Sequence, residues 1–150
     1  MRSATPLLLS AMLLLPVASM SAHADGLPPA TGLGQSWPNA TDVSASPHYH
    51  VYVFERSGLR YVQVNDLNGV VRGAVLSAGN NVIGLPVGVD ASRVATPSDP
   101  QPAPASTAGE VVYSDSTVTV LVAPQTDGTN ALRATSGDCK DPIECSTRGP

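Results

Sequence analysis

Between His48 and Gly88 the chain reads HYHVYVFERSGLRYVQVNDLNGVVRGAVLSAGNNVIGLPVG, with Val and Tyr recurring in short runs broken by Gly- and Asn-containing dipeptides. Alternation of this kind, rich in β-branched and aromatic residues, predicts antiparallel strands. Four are expected: Tyr49 to Glu55, Leu59 to Asp66, Val70 to Ser77 and Val82 to Val87. Asn68-Gly69 is the strongest turn signal, since a type I′ turn needs positive φ at both central residues. Ser57-Gly58 and Gly79-Asn80 are weaker signals of the same kind.

Counting outward from these turns sets the register. Glu55 falls opposite Arg60, and Val62 falls between Val53 and Val75. Side chains alternate across a strand. One face of the expected sheet therefore carries Val51, Val53, Val62, Val64, Val71, Val75 and Val82, with Gly73 and Gly84 among them. The other carries Tyr52, Phe54, Leu59, Tyr61, Ala74, Leu76, Ile83 and Leu85, with His50, Gln63, Asn65 and Arg72 toward one end. Both faces are apolar, so each needs a cover, from the rest of the chain or from another molecule.

The flanking segments lack this density. Residues 25–47 hold Gly, Pro, Ala, Ser and Thr with one aromatic, Trp37, and read as a flexible arm whose Trp37 is a candidate plug for the sheet. Residues 90–109, with Pro97, Pro100, Pro102 and Pro104, read as a Pro/Ala/Ser/Thr linker. Val111 to Tyr113, Thr117 to Ala123 and Asn130 to Ala134, the last following an Asp127-Gly128 turn, predict further strands within a β-hairpin segment, 110–135. A hairpin is marginal alone and is expected to dock on the Val-rich face or to extend the sheet edge. The fold class is thus all-β: an antiparallel meander over 48–89 plus a C-terminal β-hairpin, forming a small sandwich or a single sheet.

At the start of the chain, Arg2, the apolar run from Leu7 to Ala18 and Ala22-His23-Ala24 have the three parts of a secretory signal peptide, residues 1–24. The apolar run is about half the roughly 20 residues of a membrane span, so no membrane anchor is expected. Periplasm or extracellular space is the expected destination after cleavage near Ala24 and Asp25. A leader, a small β domain and a Pro/Ala/Thr linker together resemble the layout of many exported proteins of Gram-negative bacteria, a likeness that carries no functional residue.

Cys139 and Cys145, in the tail 136–150, are the only cysteines and are expected to form a disulfide in an oxidising compartment. Their spacing is not the C-x-x-C of a redox pair. The chain's formal net charge of −4 becomes −5 without the leader, because Arg2 is the leader's one charged residue. Acidic and without a basic run, it lacks the footprint of a nucleic-acid binder.

Candidate chemistry is sparse. His48 and His50 stand at i and i+2, a spacing that on a strand projects both rings to one face, suited to Cu or Zn if Asn65 or Asp66 converges as a third ligand. There is no G-x-S-x-G nucleophile elbow, and the only glutamates are Glu55, Glu110 and Glu144, with Glu55 opposite Arg60. Asp66-Leu67-Asn68-Gly69 departs from a calcium loop at Val70 and at Ser77, which stands where a bidentate Glu is required. These absences favour a non-catalytic binding or interaction module without a cofactor, acting on an envelope protein or on a second copy of itself. Tyr52, Phe54 and Tyr61, on one face of the expected sheet, are either its core or its binding platform.

Overall fold

The computed structural model describes residues 30–106 and 108–148. The expected leader, 1–24, and the first residues of the expected arm lie outside them. The meander forms β1 (Tyr49–Arg56), β2 (Leu59–Asp66), β3 (Val71–Ala78) and β4 (Asn81–Gly84), a four-stranded sheet in that order. Val53 pairs with Val62, Val62 with Val75 and Glu55 with Arg60, which is the register read from the sequence.

The turns differ in kind from expectation. Ser57-Gly58 is the turn with both central residues at positive φ, 53° and 76°. At Asn68-Gly69 only the glycine is left-handed, because the Asp66 carboxylate accepts the N–H groups of Asn68 and Val70 and holds a wider turn. The register then shifts: Val64 pairs with Gly73 but Asn65 with Val71. Arg72 is the extra residue of this bulge. It was expected beside His50 and Gln63, and instead it reaches the end of the sandwich. There its Nη2 lies 2.6 Å from Asp90 Oδ2. With the Asn130 amide turned so that its oxygen faces the guanidinium, that oxygen accepts from Arg72 Nε at 2.8 Å and its nitrogen donates to Tyr49 Oη at 3.0 Å.

The last expected strand stops at Gly84 because Pro86 cannot donate to the ladder. The chain continues along the edge of β3 through bonds from Val89 and Asp90 N–H to the carbonyls of Val71 and Arg72.

A second sheet contains β5 (Val94–Ala95), β6 (Glu110–Ser114), β7 (Val118–Pro124) and β8 (Asn130–Ser136), ordered β5-β8-β7-β6. The C-terminal segment therefore docks on the Val-rich face and makes a sandwich with a single core of Val51, Val62, Val64, Val75 and Val82 against Val112, Val118, Val120, Val122 and Leu132. β5 arises inside the segment read as a linker, where Val94 pairs in parallel with Leu132. A Cβ on Gly73 would come within 2.8 Å of Leu132 and 3.2 Å of Val94, and one on Gly84 within 3.2 Å of Val94. The two glycines in the valine face make room for this strand.

On the outer side of the second sheet, Ile143 of α1 (Pro142–Arg148) packs on Leu121, Ala123 and Ala131. Asp141 caps the helix by accepting from Ile143 and Glu144 N–H, and Pro142 opens it. The Cys139–Cys145 disulfide staples this element. Arg133, buried beneath it, donates to the carbonyls of Gln101 and Pro102 and so ties down the Pro-rich segment. No helix among the described residues is long and apolar enough to cross a membrane.

Candidate functional site

The outer face of the first sheet is covered by residues 30–47. Gln63 and Asn65, both 0 % exposed, stand two apart on β2 and so project to this face. Their amides grip the chain that crosses them. Gly34 N–H donates to Gln63 Oε1 at 2.6 Å, Gln63 Nε2 donates to Gln35 O at 2.8 Å, and Asn65 Nδ2 donates to Ser36 O at 2.7 Å. An internal bond from Gln63 Nε2 to Asn65 Oδ1 at 2.8 Å completes the clamp. Buried amides need such partners, and the backbone of the crossing segment supplies them.

Further along, Val43 N–H donates to Val51 O and Ala45 N–H to Val112 O. The chain here links the edge of β1 to that of β6 and closes one side of the sandwich. Asp42 fixes the crossing by accepting from Val51 N–H at 2.9 Å and by meeting His50 Nδ1 at 2.7 Å. Burial alone would raise the Asp42 carboxyl, but the bonds from His50 and from the backbone N–H groups of Val51 and Ser44 hold it below its ordinary value.

Trp37 is not a plug. Its indole is 61 % exposed, packs edge-on to His50 at 5.5 Å between centroids, and rests on Gly69, where a Cβ would come within 2.7 Å of the ring. His50 stacks in turn on Tyr52 at 6.3 Å. The supporting turn carries two more exposed apolar residues, Leu67 and Val70.

Among the described residues, the cover reaches only the Phe54 end of one cross-strand row. Phe54 pairs with Tyr61, Tyr61 with Leu76 and Leu76 with Ile83, a line of apolar side chains running across all four strands of the sheet. Exposure grows along it: Phe54 is 5 % exposed, Tyr61 and Leu76 are half-buried, and Ile83 is 45 % exposed. Leu33 and the backbone beside it form a wall over the Phe54 end, leaving an open groove of about 470 Å³ lined also by Tyr61 and Arg56. Of the three aromatics proposed from sequence, Tyr52 and Phe54 are buried by the crossing chain and Tyr61 meets solvent in the groove. Tyr52 contributes by supporting His50, and burial followed by the Asp42 charge raises its phenol.

The other face of the same hairpin end is ionic. Arg60 donates to Glu55 through Nε at 3.1 Å and Nη2 at 2.6 Å, and through Nη1 to Asp115. Asp115 also accepts from Tyr113 Oη and from the N–H groups of Thr117 and Val118. Burial would raise the Asp115 carboxyl, but these bonds outweigh it and hold the group well below the carboxylate range, while burial and the bond to Asp115 push Tyr113 up to about 12.

His48 and His50 do not converge. His48 lies in the turn before β1 and its Nδ1 meets Glu110 Oε1 at 3.0 Å, whereas His50 faces Asp42. Asn65 is engaged with Ser36, and Asp66 with its own turn. Among the described residues no three His, Cys, Asp or Glu side chains form a group able to hold a metal ion. The chain matches no protein-family model, no curated protein and no solved structure, so a functional reading rests on the geometry of these faces.

Proposed function

We propose that the protein is an exported, non-catalytic binding module, acting in the periplasm or outside the cell, whose ligand site is the groove over Phe54 and Tyr61. The observation that carries this is the apolar row Phe54, Tyr61, Leu76 and Ile83, left open at the edge of an otherwise clamped cover. A concave apolar surface beside a rigid wall is the usual form of a small-ligand site. The reading is non-catalytic because, among the described residues, the groove's one carboxylate, Glu55, is bonded by Arg60 and no nucleophile–base pair lines it. Export is supported by the leader pattern and by the Cys139–Cys145 disulfide.

The probe for the groove is N-phenyl-1-naphthylamine, a neutral apolar dye. It is expected to bind saturably, and Tyr61→Ala is expected to weaken it about fivefold or more with the fold retained. A dye that fails to saturate, or that binds Tyr61→Ala unchanged, would contradict the reading.

A second reading is favoured by one feature, the anchored yet exposed Trp37 indole. Rigid exposed aromatics are frequent anchors of protein contacts. The corner formed by Trp37, Leu67 and Val70 would then join a second copy or an envelope protein. Light scattering across a concentration series on the wild type and Trp37→Ser tests the self-association form. A mass that rises in the wild type alone supports it, and a constant monomer mass removes it.

A further inference from the structure

We infer that the groove takes an amphipathic anion, with its apolar body along Phe54, Tyr61 and Leu76 and its charged end on Arg56. The inference deepens the groove reading and rests on it. Arg56 is the last residue of β1, two beyond Phe54, so alternation puts it on the same face as the aromatic floor. Glu55, between them, also borders the groove, but alternation turns its side chain toward the opposite face, where Arg60 holds it in the ionic group with Asp115.

The strand thus separates the two charges. The anions at this end of the sandwich are neutralised on the inner side by Arg60, and Arg56 remains on the outer side with no carboxylate within ion-pair distance among the described residues. The Tyr61 hydroxyl, in the same groove, makes no hydrogen bond among the described residues and adds a second donor. A guanidinium and a phenol beside an apolar floor complement a carboxylate, sulfonate or phosphate joined to a hydrocarbon or aromatic body.

Dimensions agree. Neighbouring strands are about 4.8 Å apart, so the three strands carrying Phe54, Tyr61 and Leu76 span about 10 Å, the length of a two-ring aromatic or a medium acyl chain. The chain's net charge of −4 repels anions at long range, so binding of an anion would have to come from this local arrangement.

Two dyes that share one ring system provide the test. 8-Anilino-1-naphthalenesulfonate is N-phenyl-1-naphthylamine with a sulfonate added, and both are titrated into the purified protein by fluorescence. The anionic dye is expected to bind about fivefold to tenfold tighter than the neutral one at low salt, with the advantage shrinking as salt rises. Arg56→Gln should bring the affinities of the two dyes to within about twofold of each other in the same variant, with the melting temperature unchanged. Arg56→Glu should reverse the preference. Equal affinities in the wild type, or an anion preference that survives Arg56→Gln, would overturn the anion inference and leave the groove standing. Saturable binding of neither dye would remove both.

Discussion

The two faces of the first sheet are built from the same four strands and solve the same burial problem by different physics. The inner face is valine set against valine and leucine, and its complementarity is steric: Gly73 and Gly84 are hollowed to receive Val94 and Leu132. The outer face is aromatic and amide, and its cover is held by hydrogen bonds between the amides of Gln63 and Asn65 and the backbone of Gly34, Gln35 and Ser36, the Gly34 N–H donating and the Gln35 and Ser36 carbonyls accepting. Close packing leaves no room for a ligand. Attachment through a few amides fixes the cover at points and leaves the sheet beyond them open, which is where Tyr61, Leu76 and Ile83 emerge. Within one small sheet, then, one face provides stability and the other provides accessible surface.

That contrast can be broken most severely from the inside. Leu132→Ala empties the site that fills Gly73, and a fully buried Leu→Ala change costs about 2–5 kcal/mol. Urea denaturation should show the midpoint falling accordingly. A loss below about 1 kcal/mol would mean that the sheets are not packed as described.

Breaking the clamp should act locally. Gln63→Leu removes the partner of the Gly34 N–H and of Asn65 Oδ1 and leaves the Gln35 carbonyl only the longer bond from Asn65 Nδ2, a cost of about 1–3 kcal/mol. Its signature is expected in hydrogen exchange, with amides of residues 31–39 exchanging faster while those of β7 and β8 keep their protection. Uniform acceleration of both would show that the cover and the core unfold as one unit.

A third effect depends on pH. The folded carboxyl of Asp115 lies below its unfolded value near 3.9, so its contribution is fully present above about pH 4 and is lost as pH falls toward the folded value. Asp115→Asn should remove that part of the acid dependence, visible as a shallower decline of stability below about pH 4 than in the wild type. An unchanged acid profile would contradict the bonding described around Asp115. The smallest change is expected at Trp37, where replacement by Ser on the exposed corner should shift stability by less than about 0.5 kcal/mol.

The inner face was legible because alternation and turn residues fix a register, and a register assigns faces. Even the two glycines stood out as gaps in a valine surface, although the residue that fills them did not. Val94 sits among prolines, and two residues of parallel pairing leave no periodic trace. The bulge that redirects Arg72 depends on Asp66 capping its own turn, which alternation does not encode. The clamp was half visible: Gln63 and Asn65 interrupt an apolar face at i and i+2, and buried amides call for partners. Those partners are backbone atoms of a Gly- and Ser-containing segment, which composition cannot distinguish from a flexible arm. The short helix carried a readable start in Asp141-Pro142, overshadowed by the cysteine pair on either side of it. For the groove, the sequence offered its floor in Phe54 and Tyr61 but not its wall, since Leu33 arrives only through the clamp.

The most direct test of the contrast between the faces is a ¹H–¹⁵N correlation spectrum of the protein titrated with N-phenyl-1-naphthylamine. Shifts concentrated at Leu33, Phe54, Arg56, Tyr61 and Leu76, with Val62, Val75 and Val120 unmoved, are the predicted result. Shifts centred on the valine interior, or spread evenly over both sheets, would contradict it.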